Sequence, residues 1–167
     1  MRYLIVLMLL TTGLQASEMD KQPPCSATEY RQFDFWIGEW EVFSPKGQKV
    51  GENTIEKILG GCSLQESWRG ASGNIGHSYN IYDQTKSQWH QTWVDNGGTL
   101  LKLNGGMEGD SMVMSGVTQG KSGAVMNKIS WTPEEGNVRQ VWQVSTDEGK
   151  TWQTVFDGLY KKKAGES

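Results

Sequence analysis

The segment 75–98 reads IGHSYNIYDQTKSQWHQTWVDNGG, and its pattern decides the fold. Side chains alternate in character over residues 74–82 and again over 88–95, which is the period-2 pattern of β-strands. The polar turn Asp83–Ser87 separates the two runs. Asn96-Gly97 predicts a type I′ hairpin turn, because that turn needs positive φ at both central residues. Two strands joined by such a short turn must pair antiparallel.

The same pattern extends in both directions from this segment. Short alternating runs are separated by turns that nearly all contain glycine, and glycine accounts for 21 of the 167 residues. No helical segment of useful length lies between the runs. We therefore predict an all-β fold, an antiparallel up-and-down barrel of about ten strands with a short N-terminal helix, in which closure removes exposed strand edges. The predicted strands span residues 39–44, 50–59, 62–69, 74–82, 88–95, 99–107, 111–117, 124–132, 137–145 and 151–160.

The first residues have a different character. A positive start, Met1-Arg2, is followed by the apolar run Tyr3–Leu10 and by the small and polar stretch Thr11–Ala16. This is the layout of a secretory signal peptide spanning residues 1–16, with cleavage after Ala16. A buried strand is the alternative, while a membrane span would need about 20 apolar residues. We expect an exported protein, periplasmic or extracellular, with no membrane span.

The next segment links this start to the barrel. Residues 17–27 are polar, contain Pro23-Pro24 and predict an extended lead, after which residues 28–163 form the barrel domain. Thr28–Gly38 predicts a turn or two of helix with Thr28 as its N-cap. The apolar residues of this short helix are Phe33, Phe35, Trp36 and Ile37.

The two cysteines, Cys25 and Cys62, fit an oxidising compartment. One disulfide between them is the natural pairing after export. Two free thiols, or half of a metal site, are the alternatives. The chain has no C-x-x-C spacing and only two histidines, so we predict no metal site.

Length and charge exclude several function classes. A chain of 167 residues has room for one domain with a real core. The formal net charge is −3, and basic residues cluster only at Lys161–Lys163. A nucleic-acid partner is therefore not expected. The sequence does not give the oligomeric state.

Several predicted strand faces mix aromatic side chains with amides and acids. A barrel lumen that holds a ligand has this mixed lining, whereas a solid core is more uniformly aliphatic. We therefore predict that a small apolar or amphipathic molecule binds in the lumen. The alternative is that tryptophan and glutamine side chains only pack on one another. The candidate ligand-binding residues are Glu66, Trp68, His77, Tyr79, Trp89, Gln91, Trp93, Gln140 and Trp142.

Four motifs in order resemble a family of uncharacterised exported bacterial proteins, a domain of unknown function grouped with lipocalin-like (calycin-type) barrels. The motifs are FDFWIGEWEV at 33–42, GCSLQESW at 61–68, WHQTWVDNGG at 89–98 and VRQVWQVSTDEGKTWQTVFDGLY at 138–160. They extend over nearly the whole chain after residue 16. The resemblance implies an antiparallel barrel with a short helical plug, and it implies no activity.

Within the last motif, STDEGKTW at 145–152 fits the Asp-box pattern S-x-D-x-G-x-T-W. Asp147 is expected to accept hydrogen bonds from backbone N–H groups of the turn, with Gly149 left-handed and Trp152 packed beside the hairpin. A sialidase propeller would need several hundred residues, so we interpret the box as a hairpin staple.

Catalysis is the second hypothesis. A hydrolase or isomerase would use His77 with Glu66 or Asp95, and Glu39 is a further carboxylate for a cleft. No G-x-S-x-G motif supports a serine nucleophile. Glu66 is alternatively expected to pair with Arg139, because an unpaired buried charge is costly.

Two further functions were weighed from the same residues. Haem-binding barrels of the nitrobindin type use a histidine near the C-terminal strands, and no histidine follows His90 here. Haem, and any other cofactor, is therefore not expected, although His77 or His90 would be the only candidate iron ligands. A carbohydrate- or protein-interaction module is the other alternative, and it would require exposed tryptophan rings.

Overall fold

The computed structural model describes residues 23–164, in which ten antiparallel strands form a closed barrel. Each strand pairs with its neighbours in the chain, and β1 closes the barrel against β10. The predicted fold class is confirmed. The strands are β1 Gly38–Phe43, β2 Lys49–Ile58, β3 Ser63–Gly70, β4 Ile75–Asp83, β5 Gln88–Asp95, β6 Leu100–Glu108, β7 Ser111–Gly120, β8 Gly123–Glu134, β9 Asn137–Ser145 and β10 Gln153–Lys162.

The predicted strands agree with these bounds to within a few residues. The largest difference is the hairpin of β7 and β8, where pairing continues up to Gly120 and Gly123. The predicted signal peptide, residues 1–16, and residues 17–22 of the predicted lead lie outside the described residues. Within residues 23–164, no helix is long and apolar enough to cross a membrane.

Two short 3₁₀ turns, Thr28–Arg31 and Asp34–Trp36, precede β1 where one helix was predicted. The N-cap prediction was wrong: Ala27 occupies that position, and no side chain caps the turn. Each turn is only three or four residues long, and Phe33 between them leaves the helical region at φ −104° and ψ 8°. The break allows Phe33 and Trp36 to point into the barrel together.

These two rings plug one end of the barrel. Phe33 stacks on Trp36 with ring centres 4.9 Å apart, and its edge contacts Trp89 and Trp131. All four side chains are almost completely buried. Aromatic burial of this kind dominates core energetics. The plug fills the end where β1 begins, and the opposite end carries the β3–β4 and β5–β6 turns.

The predicted disulfide between Cys25 and Cys62 is present, and the structure confirms this pairing. It joins the lead to the residue before β3 across a sequence separation of 37. Closing a loop of this length restricts the unfolded chain by about 4 kcal/mol in the chain-entropy description. The disulfide therefore holds the plug against the base of the barrel.

The turns of the open end are organised by aspartates. Asp147 accepts hydrogen bonds from the Thr151 N–H at 2.9 Å and from the Ser145 hydroxyl at 2.7 Å, as the Asp-box interpretation predicts. Gly149 is left-handed at φ +83°. The hydrogen bond from the Thr151 hydroxyl, followed by that from its backbone N–H, lowers the pKa of Asp147 to about 2.

The β5–β6 turn differs from its prediction. Positive φ occurs at Gly98, not at Asn96 and Gly97, so the type I′ assignment was wrong. The Asp95 carboxylate accepts hydrogen bonds from the backbone N–H groups of Gly97 and Thr99. These side-chain bonds stabilise a longer turn, which competes with the two-residue geometry.

Candidate functional site

A cavity of about 300 Å³ occupies the half of the barrel opposite the plug. It reaches solvent beside the β3–β4 turn, where the exposed Ser72 and Asn74 form part of its rim. Deeper residues come from β3, β5, β6, β8, β9 and β10. They are Glu66, Trp68, Gln91, Trp93, Leu101, Ile129, Gln140, Trp142, Phe156 and Tyr160, with Val50 and Gly70 nearer the mouth.

Two glycines allow tryptophan rings to lie close against the barrel wall. A Cβ at Gly76 would lie 2.2 Å from the Trp93 ring, and one at Gly51 would lie 2.4 Å from the Trp68 ring. Each indole therefore covers a position where the neighbouring strand has no side chain. Both rings line the cavity. Because β2 and β4 carry glycine at these positions, the lumen stays open between the rings.

Glu66 lies on the floor of the cavity and is 5% exposed. Its Oε1 accepts a hydrogen bond from the Asn53 amide at 2.7 Å, and its Oε2 accepts one from the Ser78 hydroxyl at 2.6 Å. None of the ion pairs in the described chain includes Glu66. Burial raises the pKa of Glu66 above its usual value, and the two hydrogen bonds offset part of that rise.

The Glu66 carboxylate sets the direction of the hydrogen bonds on one side of the floor. An ionised carboxylate only accepts, so Ser78 must donate to it. The Asn80 amide then donates to Ser78 at 2.9 Å, which directs the Asn80 carbonyl oxygen toward the Gln91 amide at 2.8 Å. The remaining Gln91 oxygen accepts no hydrogen bond from residues 23–164 and is available to the cavity.

A second branch runs from Glu66 to the opposite wall. The Asn53 amide also donates to the Tyr160 hydroxyl at 3.3 Å, and that hydroxyl donates to the Gln140 carbonyl oxygen. The Gln140 amide nitrogen is left for the cavity. Burial, followed by the charge of Glu66, raises the pKa of Tyr160 well above its usual value. Tyr160 is therefore a neutral donor at physiological pH.

Six of the nine predicted ligand-binding residues line this cavity: Glu66, Trp68, Gln91, Trp93, Gln140 and Trp142. Trp89 is inside the barrel but belongs to the plug, where its indole N–H donates to the Gln32 side chain at 3.1 Å. The assignment of the six lining residues as ligand contacts stays a prediction.

The predicted lumen positions of His77 and Tyr79 were wrong. The inner face of β4 carries Gly76, Ser78 and Asn80, and Tyr79 is 54% exposed on the outer face. Because alternate residues of a strand point to opposite faces, choosing the wrong inner face of β4 places both His77 and Tyr79 on the wrong side of the barrel wall. His77 contacts Ser67 on the outside of the barrel, so it does not pair with Glu66.

His90 also lies outside the lumen, where its ring contacts Asn104 and Thr92. Neither histidine therefore reaches the cavity. Within residues 23–164, no group of three or more His, Cys, Asp or Glu side chains is placed to hold a metal ion.

The predicted pair of Glu66 and Arg139 is not formed. Arg139 makes a two-pronged ion pair with Asp157 on the outer surface, at 2.7 and 3.0 Å. Of the other carboxylates proposed for a cleft, Glu39 lies 3.7 Å from Lys163 on the outside. The Asp95 carboxylate accepts backbone hydrogen bonds within the β5–β6 turn. Glu66 is therefore the one carboxylate among the residues that line the cavity.

Prediction from the sequence missed the hydrogen-bond network around Glu66. Asn53, Ser78 and Asn80 are small polar residues whose alternation on β2 and β4 is visible in the sequence, and they are almost completely buried. It also missed Phe156 and Tyr160, which share the inner face of β10 with Gly158. The alternation of these three residues was the available signal.

No protein-family model matches the chain, and no curated protein matches it either. The resemblance carried by FDFWIGEWEV and the three later motifs therefore stays a prediction.

Proposed function

We propose that this protein binds a small amphipathic molecule in the cavity of its barrel. One observation carries the proposal: a solvent-connected space of about 300 Å³ has aromatic walls and a polar floor on which Asn53 and Ser78 hold the Glu66 carboxylate by hydrogen bonds. Ligand sites combine these two features, because apolar walls supply affinity and a few fixed polar groups supply orientation. At about 30 Å³ per water molecule, the space has room for roughly ten waters or one compact organic molecule.

The other candidate functions have less support. Catalysis through a histidine and Glu66 would need both groups in one place, and His77 and His90 are on the outer face. A sugar platform would need exposed indoles, and all eight tryptophans are buried or half-buried. We further propose that the protein works in an oxidising compartment outside the cytoplasm, which its Cys25–Cys62 disulfide and its N-terminal sequence support.

Intrinsic tryptophan fluorescence tests the binding proposal. A panel of small aromatic and aliphatic alcohols, amines and acids is titrated into the protein. We expect a saturable change in emission for at least one class, because Trp68, Trp93 and Trp142 line the cavity. No change across the panel would refute the proposal.

Two neighbouring leucines of β6 provide a matched control. Leu101 lines the cavity, while Leu100 is 53% exposed on the outside. Leu101→Phe fills part of the space and should weaken binding at least tenfold, and Leu100→Phe should not change it. Far-UV circular dichroism checks that both variants fold. Equal affinities for the two folded variants would locate the binding site outside the barrel.

A further inference from the structure

The charges around the cavity identify the class of ligand. We propose that the cavity selects an organic cation, an ammonium group that lies against Glu66 and the neighbouring aromatic rings. This inference rests on the proposed function, since it assigns a charge to the ligand of the same cavity.

The charge of the cavity lining favours a cation. Among the described residues that line the cavity there is no lysine, arginine or histidine, and the ionisable side chains are Glu66 and Tyr160. A fatty acid or another anion would therefore meet a carboxylate with no cation to neutralise it. A cation would supply the charge partner that Glu66 lacks, since a nearby opposite charge favours the ionised form of a carboxyl group.

The hydrogen-bonding atoms on the floor of the cavity also favour a cation. Both oxygens of Glu66 accept one hydrogen bond each and keep further acceptor capacity. The side-chain oxygen of Gln91 is also a free acceptor, because the Gln91 amide nitrogen donates to Asn80, whose own amide donates to Ser78. An ammonium group donates up to three hydrogen bonds and accepts none, which matches the acceptors of Glu66 and Gln91. The free Gln140 amide nitrogen is a donor on the opposite wall.

The positions of two indoles favour a cation as well. Trp68 is two residues from Glu66 on the same face of β3. Trp93 of β5 is the cross-strand neighbour of Ser78 on β4, which donates a hydrogen bond to Glu66. Both rings lie against glycine and line the cavity. The face of an aromatic ring attracts a cation, most strongly for tryptophan and when water is excluded. One bound cation would therefore contact the carboxylate and the rings together.

Three probes of nearly equal size separate charge from shape: 2-phenylethylammonium, 2-phenylethanol and 3-phenylpropanoate. Isothermal titration calorimetry at pH 7.5 measures the affinity of each. We expect the ammonium to bind at least tenfold more tightly than the alcohol, and the propanoate to bind more weakly than both. Equal or tighter binding of the alcohol or the propanoate would overturn the cation inference and leave lumen binding intact. If none of the three binds, the cation inference fails, and the fluorescence panel decides the binding proposal separately.

Glu66→Gln removes the charge and keeps the shape of the side chain. We expect this variant to lose the preference for the ammonium while its affinity for the alcohol changes by less than threefold. Glu108→Gln, at an exposed position on β6, is the matched control and should keep the preference. An unchanged preference in folded Glu66→Gln would overturn the assignment to Glu66, and an equal loss of affinity for both probes would show a structural role only.

The pH dependence gives an independent readout. Asn53 of β2 and Ser78 of β4 face Glu66 without charge, and Tyr160 of β10 is the titratable group beside it. Burial raises the pKa of Glu66 and raises that of Tyr160 well above its usual value, so Glu66 is the group of the cavity lining that ionises first as pH rises from acid. Affinity for the ammonium should rise as Glu66 ionises, and affinity for the alcohol should stay level. A level profile for the ammonium would contradict the inference.

Discussion

Gly76→Ala tests whether the cavity depends on the glycine under Trp93. The added Cβ would lie 2.2 Å from Cζ2 and 2.4 Å from Cη2 of the indole, whereas an ordinary contact begins at 3.4 Å. The ring must therefore move by about 1 Å. Since the strand backbone holds it on one side, it moves toward the cavity. Overpacking of this kind costs about 1–3 kcal/mol, and the cavity becomes smaller.

Gly106→Ala is the control on β6. No atom lies within 4 Å of the Cβ it would add, and its φ is outside the left-handed region. We expect its free energy of unfolding to stay within about 0.5 kcal/mol of the parent protein, as for most surface substitutions.

Urea denaturation followed by far-UV circular dichroism measures both stabilities, and near-UV circular dichroism reports the environment of the Trp93 ring. Equal stability of the Gly76 and Gly106 variants, with unchanged near-UV spectra, would refute the proposed packing of Trp93 over Gly76.

Four further predictions concern stability. The folded state binds the Glu66 proton more tightly than the unfolded chain does, so stability should fall as pH rises from 4.5 through the raised folded pKa; Glu66→Gln should remove that fall in urea titrations across pH. Replacing Cys25 and Cys62 by serine should lower the free energy of unfolding by about 4 kcal/mol, and an unchanged urea midpoint would contradict the role of the disulfide. Phe33→Ala should cost about 3–5 kcal/mol in the same assay, because the ring fills the plug; a cost near zero would mean that the plug is loosely packed. The contribution of Asp147 is lost as pH falls from 3.8 through about 2, so thermal melts of Asp147→Asn should show a smaller loss in that window than the parent protein.

Alternation and turn residues were enough to predict ten strands and their closure. The register of β5 was also readable, since Trp89, Gln91 and Trp93 share the inner face as their alternation suggests. These signals are local, because a strand period of two and a turn of a few residues can each be recognised within about ten residues of sequence.

The face of β4 was not readable in this way. Its larger residues, including Tyr79 and Ile81, lie outside, while Gly76, Ser78 and Asn80 lie inside. The rule that larger and more apolar side chains point inward fails here because the space inside is already occupied by indoles from the adjacent strands. The small polar residues are needed to leave room for those rings and to hydrogen-bond Glu66.

The floor of the cavity depends on contacts between distant parts of the chain. Asn53 and Tyr160 are 107 residues apart in sequence, yet they are linked by a hydrogen bond beside Glu66. No local pattern predicts such a contact, because it follows from the closure of β1 against β10. The predicted pair of Arg139 and Glu66 was also a guess about a distant contact. Arg139 instead forms an ion pair with Asp157 on the neighbouring strand β10.

The most direct test of the binding cavity is a two-dimensional ¹⁵N–¹H spectrum of the tryptophan indole N–H groups during titration with 2-phenylethylammonium. The eight indoles sample three environments: the cavity with Trp68, Trp93 and Trp142, the plug end with Trp36, Trp40, Trp89 and Trp131, and the Asp-box hairpin with Trp152. We predict saturable shifts of the three cavity resonances and little change in the other five. Shifts confined to Trp152 or to the plug end, or no shifts at all, would contradict a ligand-binding lumen.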